Sequence, residues 1–287
     1  MENIEELDIV NWVAQATDET NQEFRQAIHT ILLAIANDAI LRASMILKGG
    51  ILLAVRYHSH RFTTDIDMST DQKLGVDFDK EDIIETLDNS LALAVEELDY
   101  GLDCRIQSSK QKPNHPNATF PSIKLKIGYA YKDSEKHKRL QAKQSSTVIE
   151  IDYSSNEMLP NIDNVQLSQG EELKVYSLID LVSEKYRSLL QQVSRNRNRR
   201  QDVYDLALLL EKFEGFDNTE KQKILSSLIA KSQSRNIEPK RNSIEDPELI
   251  KRAQHEYLDM AVELNEPLPS FDQSFKKIAE FYKSLPW

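Results

Sequence analysis

The sequence predicts an α+β fold in which a mixed sheet in the first part of the chain is followed by a bundle of helices. Helical periodicity and alternating strand patterns are interleaved as far as about residue 175. Beyond that point nearly every segment repeats its apolar residues at helical spacing. We therefore predict an α/β domain over residues 1–175 and a helical domain over residues 176–287, with a cleft between them.

The first hundred residues contain three predicted helices and one short strand. Thr20 and Glu23 have the spacing of a capping box, so an amphipathic helix is expected from there to about residue 39. The two glycines at 49 and 50 precede an apolar segment that can form a short helix to about residue 57. The strand is predicted at 65–68, and a longer helix at 79–98.

Two later segments alternate apolar and polar residues, as expected for strands with one buried face. Residues 121–128 place isoleucine and leucine on one face and lysine on the other. Residues 147–153 place Glu150 and Asp152 together on one face. We expect this strand to lie beside the strand at 65–68.

The remaining segments are predicted from composition and helical periodicity. Polar or proline-containing links are expected at 107–119, 132–146, 232–246 and 265–270. The C-terminal helices are expected at 178–193, 202–213, 221–230, 247–263 and 271–285.

Composition and charge limit the functions that the chain can have. The content of 40% apolar and 29% charged residues is typical of a soluble globular protein. No apolar run approaches the ~20 residues of a membrane helix, and the acidic start is unlike a signal peptide, so we expect a cytoplasmic protein with no membrane partner. The single cysteine, Cys104, can form no internal disulfide and is expected to be structural. A net charge of −11 argues against unspecific coating of nucleic acid by the whole surface.

Two glycines and two aspartates form the strongest candidate for a functional site. Gly49 and Gly50 follow Lys48, and such a pair lets the backbone turn sharply and approach a ligand closely. Asp65 and Asp67 are two residues apart on a predicted strand and therefore point to the same face. Adjacent carboxylates repel each other unless a cation lies between them, and all-oxygen ligands suit Mg²⁺. Two-metal phosphoryl chemistry needs such carboxylates beside a backbone that cradles phosphate.

Further polar residues near these aspartates have simpler alternatives. Asp152 completes the site as a third carboxylate if its strand is adjacent, or else is a solvated residue on an exposed sheet face. Thr63 and Thr64 either contact the ligand or only shape the turn before Asp65. Among the histidines, only the pair at 58 and 60 is closely spaced, and we interpret that pair as surface or substrate-side groups.

Lys185 lies on the apolar face of its predicted helix, seven residues after Leu178 and four before Leu189. A buried unpaired ammonium is costly, so its side chain must reach a carboxylate or a phosphate. The alternative is a lysine at the edge of the apolar face whose ammonium reaches water. Asp202, in the first turn of the next helix, lies beside that helix's apolar face, where the helix dipole also favours a carboxylate. Asp205 is expected to point more toward the opposite side.

A run of arginines precedes Asp202. Four of the six residues from Arg195 to Arg200 are arginine. The run is a candidate for binding a phosphate backbone, and the alternative is a solvated charged surface.

Taken in chain order, these motifs resemble those of the AbiEii/AbiGii-type nucleotidyltransferase toxins, a family that includes the MenT-like toxins and belongs to the DNA polymerase β-like superfamily. The resemblance extends over nearly the whole chain. The matching segments are Lys48-Gly49-Gly50, Arg61-Phe62-Thr63-Thr64-Asp65-Ile66-Asp67, Glu150-Ile151-Asp152 with Glu157 after it, Glu184-Lys185, and Arg200-Gln201-Asp202-Val203-Tyr204-Asp205-Leu206. Two positions depart from the family pattern. Ile51 replaces a common threonine and can alter phosphate contacts, whereas Thr63 replaces a serine and keeps its hydroxyl.

The resemblance implies a polymerase-β-like core, a helical domain that closes the active-site cleft, and transfer of a nucleotide from an NTP to RNA. In related toxins the acceptor is the 3′ end of tRNA, and its modification blocks translation. A cognate antitoxin is a further implied partner, and in some relatives the serine at the position of Thr63 is phosphorylated by a kinase-type antitoxin.

The resemblance also implies roles for individual residues. The metal ligands for Mg²⁺ would be Asp65, Asp67 and Asp152, the last being a third ligand or the base for the attacking hydroxyl. Lys185 would neutralise phosphate charge, and Asp202 would orient Lys185 or the nucleotide. The implied nucleotide-binding residues are Lys48, Gly49, Gly50, Thr63, Thr64 and Arg200.

Two other functions stay open at this point. A polymerase-β-like enzyme can attach AMP to a protein hydroxyl, and a degenerate member can act as a binding or regulatory module. The three aspartates in matching positions weigh against degeneracy.

Overall fold

The computed structural model describes residues 4–115, 118–168, 170–213, 215–264 and 266–287. Within these ranges the chain forms eight strands and eleven α-helices. The strands are β1 (Glu5–Leu7), β2 (Ile46–Lys48), β3 (Asp65–Ser69), β4 (Leu102–Lys112), β5 (Ser122–Tyr131), β6 (Val148–Ser154), β7 (Ile162–Leu167) and β8 (Glu172–Tyr176). The helices are α1 (Ile9–Ala14), α2 (Glu19–Asn37), α3 (Ala39–Ser44), α4 (Gly49–Tyr57), α5 (Lys80–Glu97), α6 (Glu135–Gln141), α7 (Leu178–Gln191), α8 (Arg200–Lys212), α9 (Asn218–Gln233), α10 (Pro247–Gln254) and α11 (Phe271–Ser284).

The eight strands form one mixed sheet in the order β1-β7-β8-β2-β3-β6-β5-β4. Strand β3 is antiparallel to β2 and parallel to β6, while β5 is antiparallel to both β4 and β6. The mixed sheet followed by helices confirms the predicted α+β class. The predicted pairing of the strand at 65–68 with the strand at 147–153 is also confirmed, because these are β3 and β6.

The central strands have one apolar and one polar face. Ile66 and Met68 of β3 are buried, as are Ile149, Ile151 and Tyr153 of β6. The residues between them are carboxylates on the other face. Helices α2 and α5 pack against each other and against β4. Alternation therefore separates a core-facing surface from a charged surface on the same strands.

The chain divides into two compact units. The first comprises Met1–Arg56, Thr64–Glu157 and Asp163–Val175, and it contains the core of the sheet. The second comprises Tyr57–Thr63, Met158–Ile162 and Tyr176–Trp287. The cleft-closing role predicted for the helical domain stays a prediction.

Buried aromatic and charged contacts hold the second unit together. The ring of Tyr186, which is fully buried, lies 5.2 Å from that of Tyr282, and its hydroxyl donates to the carbonyl of Ile278 at 2.7 Å. Lys231 pairs with the carboxylate of Asp180 at 3.2 Å and is buried with it. None of the described helices is both long and apolar enough to cross a membrane.

The first long helix begins before the predicted capping box. Asp18 is its N-cap and accepts a hydrogen bond from the backbone of Asn21 at 2.8 Å. Glu23 is instead buried beside Lys136, with 3.2 Å between their charged atoms. The predicted capping box is therefore wrong, because an aspartate two residues earlier satisfies the free backbone N–H.

Two predicted loops contain regular structure. Strand β4 extends to Lys112 and occupies part of the predicted loop 107–119, of which residues 116 and 117 lie outside the described residues. Helix α6 lies inside the predicted loop 132–146, and Ser134 caps it. Both elements are rich in polar residues and were therefore predicted as loops. Strand β4 lies at the edge of the sheet with one face toward solvent, and α6 is short.

The link and helix predictions near the C-terminus also need correction. The predicted helix 247–263 is broken after α10, where Glu256 has a φ of 57° and a 3₁₀ helix follows at Tyr257–Glu263. Residue 265 of the predicted link 265–270 lies outside the described residues. The predicted link 232–246 contains a short 3₁₀ helix at Ser243–Glu245.

Candidate active site

A row of charged side chains crosses the polar face of the sheet. The strand register pairs Lys48 with Asp67, Asp67 with Asp152, and Asp152 with Lys124. Residues paired directly across neighbouring strands point to the same face. Two carboxylates therefore lie side by side with one lysine on either side of them.

Gly49 brings the backbone against Asp67. It has a φ of +72°, and a Cβ at this position would lie 2.0 Å from Oδ2 of Asp67. Only glycine fits such a contact in this conformation. The sharp turn predicted at the glycine pair is confirmed for Gly49, which begins α4, and Gly50 is the buried second residue of that helix.

The two oxygens of Asp152 have different surroundings. Oδ2 lies 3.4 Å from Nζ of Lys124, which also donates to Glu150. That hydrogen bond lowers the pKa of the Glu150 carboxyl and raises the pKa of the lysine. Oδ1 of Asp152 is buried and accepts no hydrogen bond from the described residues. A buried oxygen without a donor is costly, so this atom is suited to a cation or a proton.

Asp65 lies on the same face of the sheet as Asp67, two residues earlier in β3, and the register aligns it with Glu150 of β6. It is exposed, and its Oδ1 accepts a hydrogen bond from the hydroxyl of Thr64 at 3.2 Å. No group of three or more His, Cys, Asp or Glu side chains in the described part of the chain is arranged to hold a metal ion. The register thus pairs two of the predicted ligands, Asp67 and Asp152, and the three-carboxylate magnesium site stays a prediction. The paired carboxylates fit a divalent cation in donor type, and one of their oxygens lacks a donor.

A second charged cluster lies within the helical unit. Nζ of Lys185 is 2.6 Å from Oδ2 of Asp205 and 3.1 Å from Oδ1 of Asp202. Arg61 donates to both oxygens of Asp205, at 3.2 and 3.3 Å. The side chains of Arg61, Lys185 and Asp205 are only 9%, 10% and 1% exposed. Two cations and two carboxylates are therefore buried together.

In this cluster, ion pairing has a larger effect on the pKa values than burial has. Burial alone raises the pKa of the Asp205 carboxyl. The opposing effect of Lys185 and Arg61 is larger, so the net shift of this pKa is downward. Burial lowers the pKa of Lys185, and the attraction of Asp205 and Asp202 reverses this into a raised value. Oδ2 of Asp202 is buried without a hydrogen-bond donor among the described residues.

The cluster decides between the alternatives predicted for Lys185. Its ammonium reaches carboxylates, and the alternative of a lysine at the edge of the apolar face is wrong. The predicted orientation of Asp205 is also wrong, since it follows Asp202 by three residues and such residues are neighbours on a helix. Sequence reasoning gave neither Arg61 nor Asp205 a role in the site, although both belong to the recognised motifs. The action of Lys185 on a nucleotide stays a prediction.

Two other residues singled out in the sequence, Arg200 and His60, lie beside carboxylates. Arg200 pairs with Glu256 at 2.8 Å and with Glu263 at 3.4 Å. Nε2 of His60 lies 3.9 Å from Glu266. Cys104 is buried, and burial raises the pKa of its thiol, which fits a structural residue. Nothing in the geometry tests the nucleotide contacts predicted for Arg200 or Thr63.

Comparison with known proteins identifies the family. Residues 30–280 match the family model described as Nucleotidyl transferase AbiEii toxin, Type IV TA system. The match spans most of the chain, so the protein belongs to the AbiEii family of toxin nucleotidyltransferases and is a nucleotidyltransferase. No curated protein is significantly similar to it in sequence.

Two solved structures are similar in fold. One is JHP933 from Helicobacter pylori, with a TM-score of 0.54, 14% identity, and coverage of 93% of this chain and 92% of that chain. The other is an H. pylori protein provisionally described as a nucleotidyltransferase, with a TM-score of 0.53, 15% identity, and coverage of 93% and 95%. Identities this low establish a common fold alone.

Proposed function

We propose that this nucleotidyltransferase uses Mg²⁺ to transfer a nucleotide from an NTP to the 3′-hydroxyl of an RNA, with tRNA as the acceptor. The observation that carries the proposal is the direct pairing of Asp67 with Asp152 beside Gly49 and Lys48. A tRNA with an added 3′ nucleotide cannot be charged, so translation stops. A block of translation would explain why such a protein is toxic.

The proposed reaction is an in-line exchange at the α-phosphorus. The hydroxyl oxygen of the acceptor forms a bond to this phosphorus, the bond to the bridging oxygen of the β-phosphate breaks, and pyrophosphate leaves. Oδ1 of Asp152, which is buried and lacks a donor, accepts the hydroxyl proton.

The carboxylates of Asp67 and Asp152, together with Asp65, would hold the metal. When bound, the metal neutralises charge on the phosphates and polarises them for attack. Lys48 and the start of α4 at Gly49 would hold the triphosphate, because free backbone N–H groups at a helix start favour anions.

The proposal is tested by incubating the purified protein with each α-labelled NTP, with and without total tRNA. We expect label at the RNA 3′ end and none in the protein. Label confined to protein would indicate AMP transfer to a hydroxyl of a polypeptide, and absence of any label would indicate a binding module. Either result refutes the proposal.

A further inference from the structure

Beyond Asp152, the polar face of the sheet continues into a group of lysines. Lys124 of β5 is paired with Lys110 of β4, and in the rows on either side Lys126 faces Ser108 and Lys112 faces Ser122. The buried residues Ile123, Leu125 and Ile127 alternate with these positions and point to the opposite face. We call Lys110, Lys112, Lys124 and Lys126 the lysine face.

The lysine face lies on one side of the paired carboxylates. Neighbouring strands are about 4.8 Å apart, so Lys110, two strands beyond Asp152, is about 10 Å from it along the row. Lys48 and Gly49 lie on the other side, next to Asp67. A ligand on the lysine face would therefore approach Asp152 from the side away from the start of α4.

Three of the four lysines form no close ion pair with any described residue. Lys124 is engaged with Glu150 and Asp152. Lys110, Lys112 and Lys126 are exposed, and no ion pair joins them to any carboxylate in the described ranges. The register places Lys126 opposite Glu150, whose pKa is lowered by the hydrogen bond from Lys124 and, to a smaller extent, by the charges of Lys126 and Lys112. Three such ammonium groups on a protein of net charge −11 mark a local site for a polyanion.

We infer that the lysine face binds the backbone phosphates of the acceptor strand just upstream of its 3′ end. This inference rests on the proposed function and adds the location of the acceptor. The proposed triphosphate site takes the side of Lys48, so an acceptor hydroxyl that reaches Asp152 comes from the side of β5 and β4. Lysines contact phosphates as point charges and read no base, so this surface positions the strand.

The arginine run at 195–200 is the rival surface for a phosphate backbone. Two of its four arginines are already matched by carboxylates: Arg200 pairs with Glu256 and Glu263, and Nε of Arg199 lies 3.9 Å from Asp202. The lysine face therefore offers more unpaired positive charge, and it adjoins Asp152 on one continuous sheet.

The test compares two triple variants of equal charge. K110Q/K112Q/K126Q removes the exposed part of the lysine face and leaves Lys124 in place. K223Q/K251Q/K276Q removes three exposed lysines from helices α9, α10 and α11 as a control. Binding of a labelled single-stranded RNA is measured by fluorescence anisotropy, without NTP, between about 50 and 200 mM salt.

For single strands the slope of log affinity against log salt is about 0.7 per phosphate contact. Loss of three contacts flattens the slope by about 2, so across this fourfold salt range the wild type loses roughly 20-fold more affinity than the variant. The control keeps the wild-type slope. K110Q alone flattens it by about 0.7 and serves if the triple variant fails to fold.

An unchanged slope in the lysine-face variant, or equal flattening in the control, overturns the inference. A raised KM for NTP with an unchanged RNA slope also overturns it and assigns the lysines to the triphosphate. The proposed function fails separately, if the wild type labels no RNA with any NTP. A wild type that labels RNA, beside a variant with an unchanged slope, refutes the lysine face alone.

Discussion

Replacement of Gly49 by alanine tests the close approach of α4 to Asp67. The added Cβ would lie 2.0 Å from Oδ2 and 2.7 Å from Cγ of Asp67. Contact below about 3.4 Å is repulsive for carbon and oxygen, so the carboxylate must move by more than about 1 Å. Because Asp67 is fixed between β2 and β6, the movement takes its carboxylate out of alignment with Asp152.

Two effects of the substitution have different magnitudes. A non-glycine residue at positive φ costs about 1–2 kcal/mol, partly offset by about 0.4–1 kcal/mol from the stiffer unfolded chain. This backbone effect alone, about 1 kcal/mol, lowers Tm by roughly 2–4 °C. Displacement of Asp67 adds an overpacking cost of about 1–3 kcal/mol. A displacement of about 1 Å at reacting groups lowers the rate on the order of 100-fold. We therefore expect a folded but destabilised protein with strongly reduced transfer.

Gly75 provides the matched control. It has a φ of +78°, and a Cβ there would meet nothing within 4 Å. Gly75→Ala carries the cost of the positive φ without the clash, so it should lower Tm less than Gly49→Ala and leave nucleotide transfer at the wild-type rate. Differential scanning calorimetry and the labelled-NTP assay measure the two effects. Wild-type transfer by Gly49→Ala, or equal loss in both variants, would refute the role of this contact.

Two further predictions concern the helical unit and Thr63. Asp205→Asn leaves Lys185 and Arg61 buried without their shared carboxylate, and we expect a loss of about 3–5 kcal/mol in urea denaturation. Because the folded-state pKa of Asp205 is lowered, its stabilising contribution is present above its unfolded pKa of about 3.9 and is lost as pH falls through the lower folded value. The wild type should therefore lose this part of its stability below about pH 4, while the variant lacks it throughout; equal stability at pH 7 would contradict the assignment. Thr63→Glu places a negative charge two residues before Asp65 and is expected to abolish transfer and growth arrest, whereas Thr63→Val keeps partial activity. Full toxicity of the Glu variant would show that charge at this position does not control the site.

Strict alternation made part of the site predictable. Glu150 and Asp152 alternate with buried isoleucines, so their shared face followed from the sequence, and the pairing of β6 with β3 is as expected. The apolar periodicity of α7 likewise identified Lys185 as a buried cation in need of a partner. Local patterns of period 2 and 3.6 carry this information directly.

The partners of these residues were not predictable in the same way. Nothing local to β5 indicates that Lys124 lies beside Asp152, because that contact depends on strand order. The periodicity of α7 requires a partner for Lys185 but does not identify it as Asp205, because that pair depends on how α7 and α8 pack. Short or polar strands such as β2 and β4 gave no alternation strong enough to separate them from loops.

The most direct test of the central claim is transfer of label from an NTP to tRNA by the wild type and by Asp67→Asn and Asp152→Asn, with Mg²⁺ titrated and Tm measured in parallel. The account predicts label at the RNA 3′ end that requires Mg²⁺ and is lost in both variants while their Tm stays close to that of the wild type. Transfer at the wild-type rate by either variant would contradict the claim that these paired carboxylates carry the reaction.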